Sequence, residues 1–157
     1  MKPVLPIVAM ILCAQSADAR PLIDSHFNSG GCFVRDYSAD HLARHPEQLV
    51  KYISLSISAL DAPQGMTLLD VIVNLRGRPE YFHGLAYCEP DGDTLACGME
   101  GDAGAFRLEG AKAGALRLSL ADQGLSFEGQ TEFITLDGQQ GDDRVFLIPS
   151  AKPAMCQ

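Results

Sequence analysis

The chain has 157 residues, of which 46% are apolar and 20% charged, with 15 Gly, 9 Pro and no Trp. That composition describes one globular domain and excludes a disordered chain, a coiled coil and a polytopic membrane protein. A formal charge of -8 argues against sequence-independent nucleic-acid binding, which needs Lys and Arg to neutralise phosphates.

Residues 1–19 read as an export signal. Lys2 supplies the positive start, Val4 to Ala14 is apolar apart from Cys13, and Ala17-Asp18-Ala19 is a small-x-small cleavage pattern that places the cut before Arg20. The apolar run is about 10 residues, half of the ~20 that a spanning helix needs, so a retained anchor is the weaker reading. Leu12 stands where a lipoprotein signal has a small residue before its cysteine, so Cys13 leaves with the signal. Cleavage removes one cation, Lys2, and one anion, Asp18, so the charge stays at -8 and the acidity belongs to the mature domain. The expected location is periplasmic or secreted, with no membrane span after cleavage.

Residues 20–31 follow as a loose lead-in, and 32–157 form a single β domain. One stretch has helical character, Ser38 to Arg44, with Ser38 as N-cap and Pro46 forcing an end at or before His45. From Val50 onward the period is two. Ile53, Leu55, Ile57 and Ala59 alternate with serines, and Leu69, Val71, Val73 and Leu75 alternate with polar residues. The aromatic strand around Tyr81 to Tyr87 runs into Cys88.

Four cysteines survive signal cleavage: Cys32, Cys88, Cys97 and Cys156. An even number in an oxidising compartment favours two disulfides, for which three connectivities exist. Cys88 and Cys97 are centred on Asp91-Gly92-Asp93-Thr94. A two-residue Gly92-Asp93 loop sets 88 opposite 97 as a non-hydrogen-bonded pair, a phase that also suits Pro90, which has no N–H. Elimination leaves Cys32 with Cys156, closing a loop of roughly 125 residues worth about 4–5 kcal/mol, against about 2–3 for the hairpin loop. Free thiols or another pairing are the alternative.

Further strands alternate at Phe106 to Glu109, Leu116 to Leu120 and Leu125 to Glu128. Phe133 to Leu136 and Val145 to Ile148 are apolar on both faces, which favours central, doubly covered strands over strands whose outer face is a contact surface. Turn residues at Asp61 to Gly65, Asp91-Gly92, Gly110 to Gly114, Asp122 to Gly124 and Asp137 to Asp142 separate the strands at the spacing of sandwiches and barrels. The expected fold is all-β: a small antiparallel barrel or sandwich, disulfide-stapled, with one short helical turn near residues 38–45.

Cys32-Phe33-Val34-Arg35, the stretch His41 to Gln48 and the stretch Cys97 to Phe106 together resemble a family of small exported bacterial proteins without characterised activity. The resemblance spans most of the mature chain. It implies one exported domain and brings no catalytic residue or ligand with it.

Few residues suggest chemistry. His41 and His45 stand four apart, as in zinc sites, and are weak metal candidates to be completed by His26, His83 or a carboxylate; Pro46 turns His45 away from a shared helical face, and no metal or other cofactor is expected. Asp91-Gly92-Asp93, Glu100-Gly101-Asp102 and Asp137 to Asp143 are acidic but lack the EF-hand order, so turn formation explains them better than calcium. Ser29 lacks a nucleophile elbow, and no Cys-x-x-Cys is present. Tyr81, Phe82, His83 and Tyr87 are the ligand-binding candidates, as lining of a barrel mouth, with core packing as their ordinary use.

The favoured function is a non-enzymatic binding or envelope-associated protein whose partner is a protein, an envelope component or a small ligand. The alternative is a small metal- or carboxylate-dependent hydrolase of the envelope. A structural role in an envelope complex would show as an exposed apolar face on 133–136 or 145–148.

Overall fold

A computed structural model of the chain describes residues 21–28 and 30–156, so the expected export signal at residues 1–19 and Ser29 lie outside the described residues. The fold is mostly antiparallel sheet. Its strands are β1 (Cys32–Asp36), β2 (Val50–Ile57), β3 (Thr67–Leu75), β4 (Tyr81–Asp91), β5 (Thr94–Met99), β6 (Gly104–Gly110), β7 (Leu116–Glu128), β8 (Phe133–Leu136), β9 (Val145–Ile148) and β10 (Ser150–Ala151). Two short helices, α1 (Leu22–His26) and α2 (Ala39–Arg44), precede β1 and β2.

β1 to β7 pair in chain order. β9 then pairs with β7 through Leu116↔Ile148 to Ser119↔Val145, and β10, separated from β9 only by Pro149, pairs with β1 through Cys32↔Ala151 and Phe33↔Ser150. The 145–151 segment therefore joins the last long strand to the first and closes the sheet into a barrel-like ring. Period-two alternation directs one residue of each pair inward. Phe33, Leu55, Val71, Phe82, Leu108, Leu118 and Phe146 fill the ring, each no more than 1% exposed.

The hairpin arithmetic agrees with the fold. Asp91 pairs with Thr94, Pro90 with Leu95 and Cys88 with Cys97, and the cysteine Cα atoms lie 4.1 Å apart, the short spacing of a non-hydrogen-bonded pair. Both disulfides form, Cys88–Cys97 and Cys32–Cys156. Among the described residues no helix is long and apolar enough to cross a membrane. α2 starts where expected: the Ser38 hydroxyl accepts the His41 N–H at 3.2 Å, and His45 leaves helical geometry before Pro46.

Four expectations need correcting. The segment after the signal is not a loose lead-in: Leu22 and Phe27 are buried, and the Phe27 ring packs 5.1 Å from that of Phe33. The strands begin before the alternation that starts at Val50, with β1 at Cys32–Asp36. Asp122 to Gly124 does not separate two strands; β7 runs through it, with Gly124 at φ 74° absorbing a bend. Finally, 133–136 and 145–148 are not doubly covered: Phe133 is 73% and Leu147 54% exposed, because β8 and β9 each lie on the β7 flank with an outer face in solvent.

Candidate groove on the outer face of the sheet

The bend in β7 creates the main surface feature. Before it, β7 pairs with β6 and β9; after it, Leu125 still meets Gly104 of β6, β7 pairs with β8, and Glu128 meets His83 of β4. The bend needs glycine where the strands touch. A side chain on Gly104, which has φ 106°, would bring its Cβ within 2.0 Å of the Gly124 carbonyl oxygen.

Pairing register then aligns one row across four strands: Phe133 opposite Glu128, Glu128 opposite His83, His83 opposite Ile72. Residues directly opposite one another share a face of the sheet. This row crosses the middle of a groove of about 1440 Å³. Buried Met99 and Phe127 form its base. Gly84 makes room for them, since a Cβ there would lie 2.1 Å from the Met99 methyl carbon and 3.1 Å from the Phe127 ring.

The walls combine exposed apolar groups with acids. Of the eight large hydrophobic side chains exposed among the described residues, three line this groove: Leu60, Tyr81 and Phe133. Tyr81 is steadied by an edge-on contact with Tyr52, ring centres 5.6 Å apart. Asp70, Glu80, Glu100, Asp102 and Glu128 contribute carboxylates, and no Lys or Arg lines the groove. Glu80 is engaged, accepting the Gln130 N–H at 2.8 Å and so fixing the β7–β8 turn against β4.

The four aromatic-strand candidates do not act as one site. Tyr81 and His83 line the groove. Phe82 points the opposite way into the core and is fully buried, which removes it as a ligand contact. Tyr87 lines a second, smaller depression of about 660 Å³ floored by Ala96, Gly98 and Ala105. The ring interior is packed, so no barrel mouth is lined by these residues; both depressions are on the outer face.

His41 and His45 do come together, which the expected divergence at Pro46 did not anticipate. Their rings stack at 4.4 Å, and Tyr37 packs 4.7 Å from His41. Their nitrogens are engaged: His41 Nε2 is 2.9 Å from Gln48 Oε1, and His45 Nδ1 is 3.5 Å from Asp142. The neighbouring Asp143 is buried and accepts the Leu49 N–H at 2.6 Å and the Val50 N–H at 3.1 Å. Burial pushes its carboxyl pKa upward, against the opposing effect of those two N–H groups. The cluster binds α2 and the 137–144 loop to the start of β2. Among the described residues no three His, Cys, Asp or Glu side chains converge as a metal site.

Two of the three acidic loops use their carboxylates locally, whereas Glu100 and Asp102 line the groove. Asp137 accepts the Gln139 and Gln140 N–H groups, which hold its carboxyl below the usual range, and Asp91 pairs with Arg107 at 2.6 Å. Asp70 and Glu128 were not singled out in the sequence as binding residues, Glu100 and Asp102 were weighed only as a calcium loop, and Phe133 only within 133–136 as a possible contact face. Only Phe133 carried a local signal, its apolar character on the strand's second face. No family model, curated protein or solved structure matches the chain.

Proposed function

We propose that this protein is an exported, non-enzymatic binding protein of the periplasm or exterior, and that it engages its partner through the outer-face groove between β3–β4 and β7–β8. The observation that carries the reading is the gathering of Leu60, Tyr81 and Phe133 into one acid-lined groove. Exposed apolar groups scattered singly are ordinary, whereas a cluster rimmed by polar residues marks contact surfaces. Export is supported by the signal pattern of residues 1–19 and by two disulfides, which persist in oxidising compartments. The hydrolase alternative draws no support from His41 and His45, whose imidazoles are held by Gln48, Asp142 and each other.

Site-specific photo-crosslinking in the exporting cell tests the reading. A benzoylphenylalanine at position 133 is expected to give a discrete adduct, and the same group at exposed position 112, in the β6–β7 turn outside the groove, is expected to give none. No adduct from 133, or equal adducts from both positions, would overturn it.

A further inference from the structure

We infer that the occupant of the groove is an extended, basic segment of another polypeptide, an inference that rests on the binding reading above. Charge is the first argument. Asp70, Glu100, Asp102 and Glu128 line the groove with no Lys or Arg among them, and none of the four has an ion-pair partner among the described residues. The ion pairs that do form join His45 to Asp142, Arg78 to Glu132 and Arg107 to Asp91, all outside this set. A concave surface lined by one sign of charge focuses its field and collects the opposite charge.

Surface chemistry is the second argument. Tyr81 and Phe133 line the same groove and are 50% and 73% exposed, with Phe133 directly opposite Glu128. Guanidinium and ammonium groups are attracted to aromatic ring faces, and the apolar stems of Arg and Lys cover them. Size is the third. At about 1440 Å³ the groove exceeds the roughly 300–1,000 Å³ typical of small-molecule sites. The row from Phe133 to Ile72 crosses four strands, about 14 Å at the usual strand spacing, which accommodates four or five residues of extended chain. A segment with alternating cationic and apolar side chains matches this surface in sign, shape and length.

Fluorescence anisotropy with the mature, disulfide-bonded protein tests the inference, using a labelled octapeptide in which Arg alternates with Phe and Ser. Saturable binding is expected, weakened about tenfold by raising NaCl to about 0.5 M. The Glu100→Gln/Asp102→Asn/Glu128→Gln variant is expected to weaken binding tenfold or more, and Phe133→Ser severalfold. Asp36→Asn/Asp40→Asn/Glu47→Gln makes the same change in net charge at exposed positions outside the groove and is expected to change affinity less than twofold. Equal weakening by both charge variants, or equal binding of an octapeptide with Glu in place of Arg, overturns the inference. Competition by spermidine at equal affinity also overturns it, in favour of a small cation. Failure of the basic octapeptide while position 133 still crosslinks refutes the basic segment alone; failure of both refutes the groove as a binding face.

Discussion

Asp143 shows how one side chain holds a junction that the hydrophobic pattern alone does not specify. It reaches 94 residues back to the Leu49 N–H and terminates the unpaired backbone at the start of β2. Asp143→Ala leaves the Leu49 and Val50 N–H groups without their acceptor and is expected to cost about 2–3 kcal/mol, measured by urea unfolding. The pH dependence has a definite sign. Burial raises the folded carboxyl pKa above its ordinary 3.8, so protonation favours folding; this contribution is complete below 3.8 and is lost as pH rises through the raised folded value. In Asp143→Asn that part of the slope is expected to vanish, so a wild-type and variant difference in urea midpoint that does not change with pH above 3.8 contradicts the assignment.

Gly84 belongs to the same scale. Gly84→Ala pushes its Cβ onto the flexible end of Met99. The expected result is a loss of about 1 kcal/mol in stability together with weaker binding in the groove, because the displaced Met99 methyl must move. Neither residue's role was legible in the sequence. Asp143 is one acid of the 137–143 turn and Gly84 has no distinguishing local pattern, because both act on atoms remote along the chain.

Among the elements, those with local causes were legible. Ser38 and Pro46 delimit α2 within a few residues, and Cys88, Pro90 and the Gly92-Asp93 turn determine one hairpin register among themselves. The misread elements depended on neighbours. β8 and β9 have the apolar character of covered strands, yet what covers a strand is decided by the bend in β7, which the sequence presented as a turn. α1 is too short for periodicity, and only tertiary packing shows that Leu22 and Phe27 join the core. Phe27→Ala is accordingly expected to cost about 3 kcal/mol, whereas a loose lead-in would give nearly none; thermal unfolding followed by circular dichroism distinguishes the two.

The disulfides differ at this scale as well. Cys32–Cys156 spans 124 residues and Cys88–Cys97 spans 9. On the chain-entropy model their removal costs about 5 and about 2.5 kcal/mol respectively. Replacing the first pair with Ala is expected to lower the unfolding midpoint by clearly more than replacing the second. The reverse order would show that the ring between β1 and β9–β10 is held by its backbone pairing rather than by the covalent closure.

At the scale of the whole molecule, the net charge of -8 first served only to exclude nucleic-acid binding. The fold gives part of that charge a place, because β3, the residue ahead of β4, β7 and the 3-10 turn Glu100–Asp102 bring together acids widely separated in sequence. Such convergence is a product of register across a closed sheet, which is why composition reported the acidity and could not locate it. Ring closure through 145–151 and the bend in β7 at Gly124 are thus the two features that turn an ordinary acidic β domain into one with a defined face.

The most direct test of that face is a titration of the isotopically labelled mature protein with the Arg-containing octapeptide, followed by amide chemical shifts. The perturbed amides are expected to cluster at Ile72, His83, Gly84, Glu128 and Phe133, with the Ala96 to Ala105 depression and the His41 to His45 region unchanged. Perturbations centred on either of those two regions, or spread evenly over the acidic surface, would contradict the groove as the binding face.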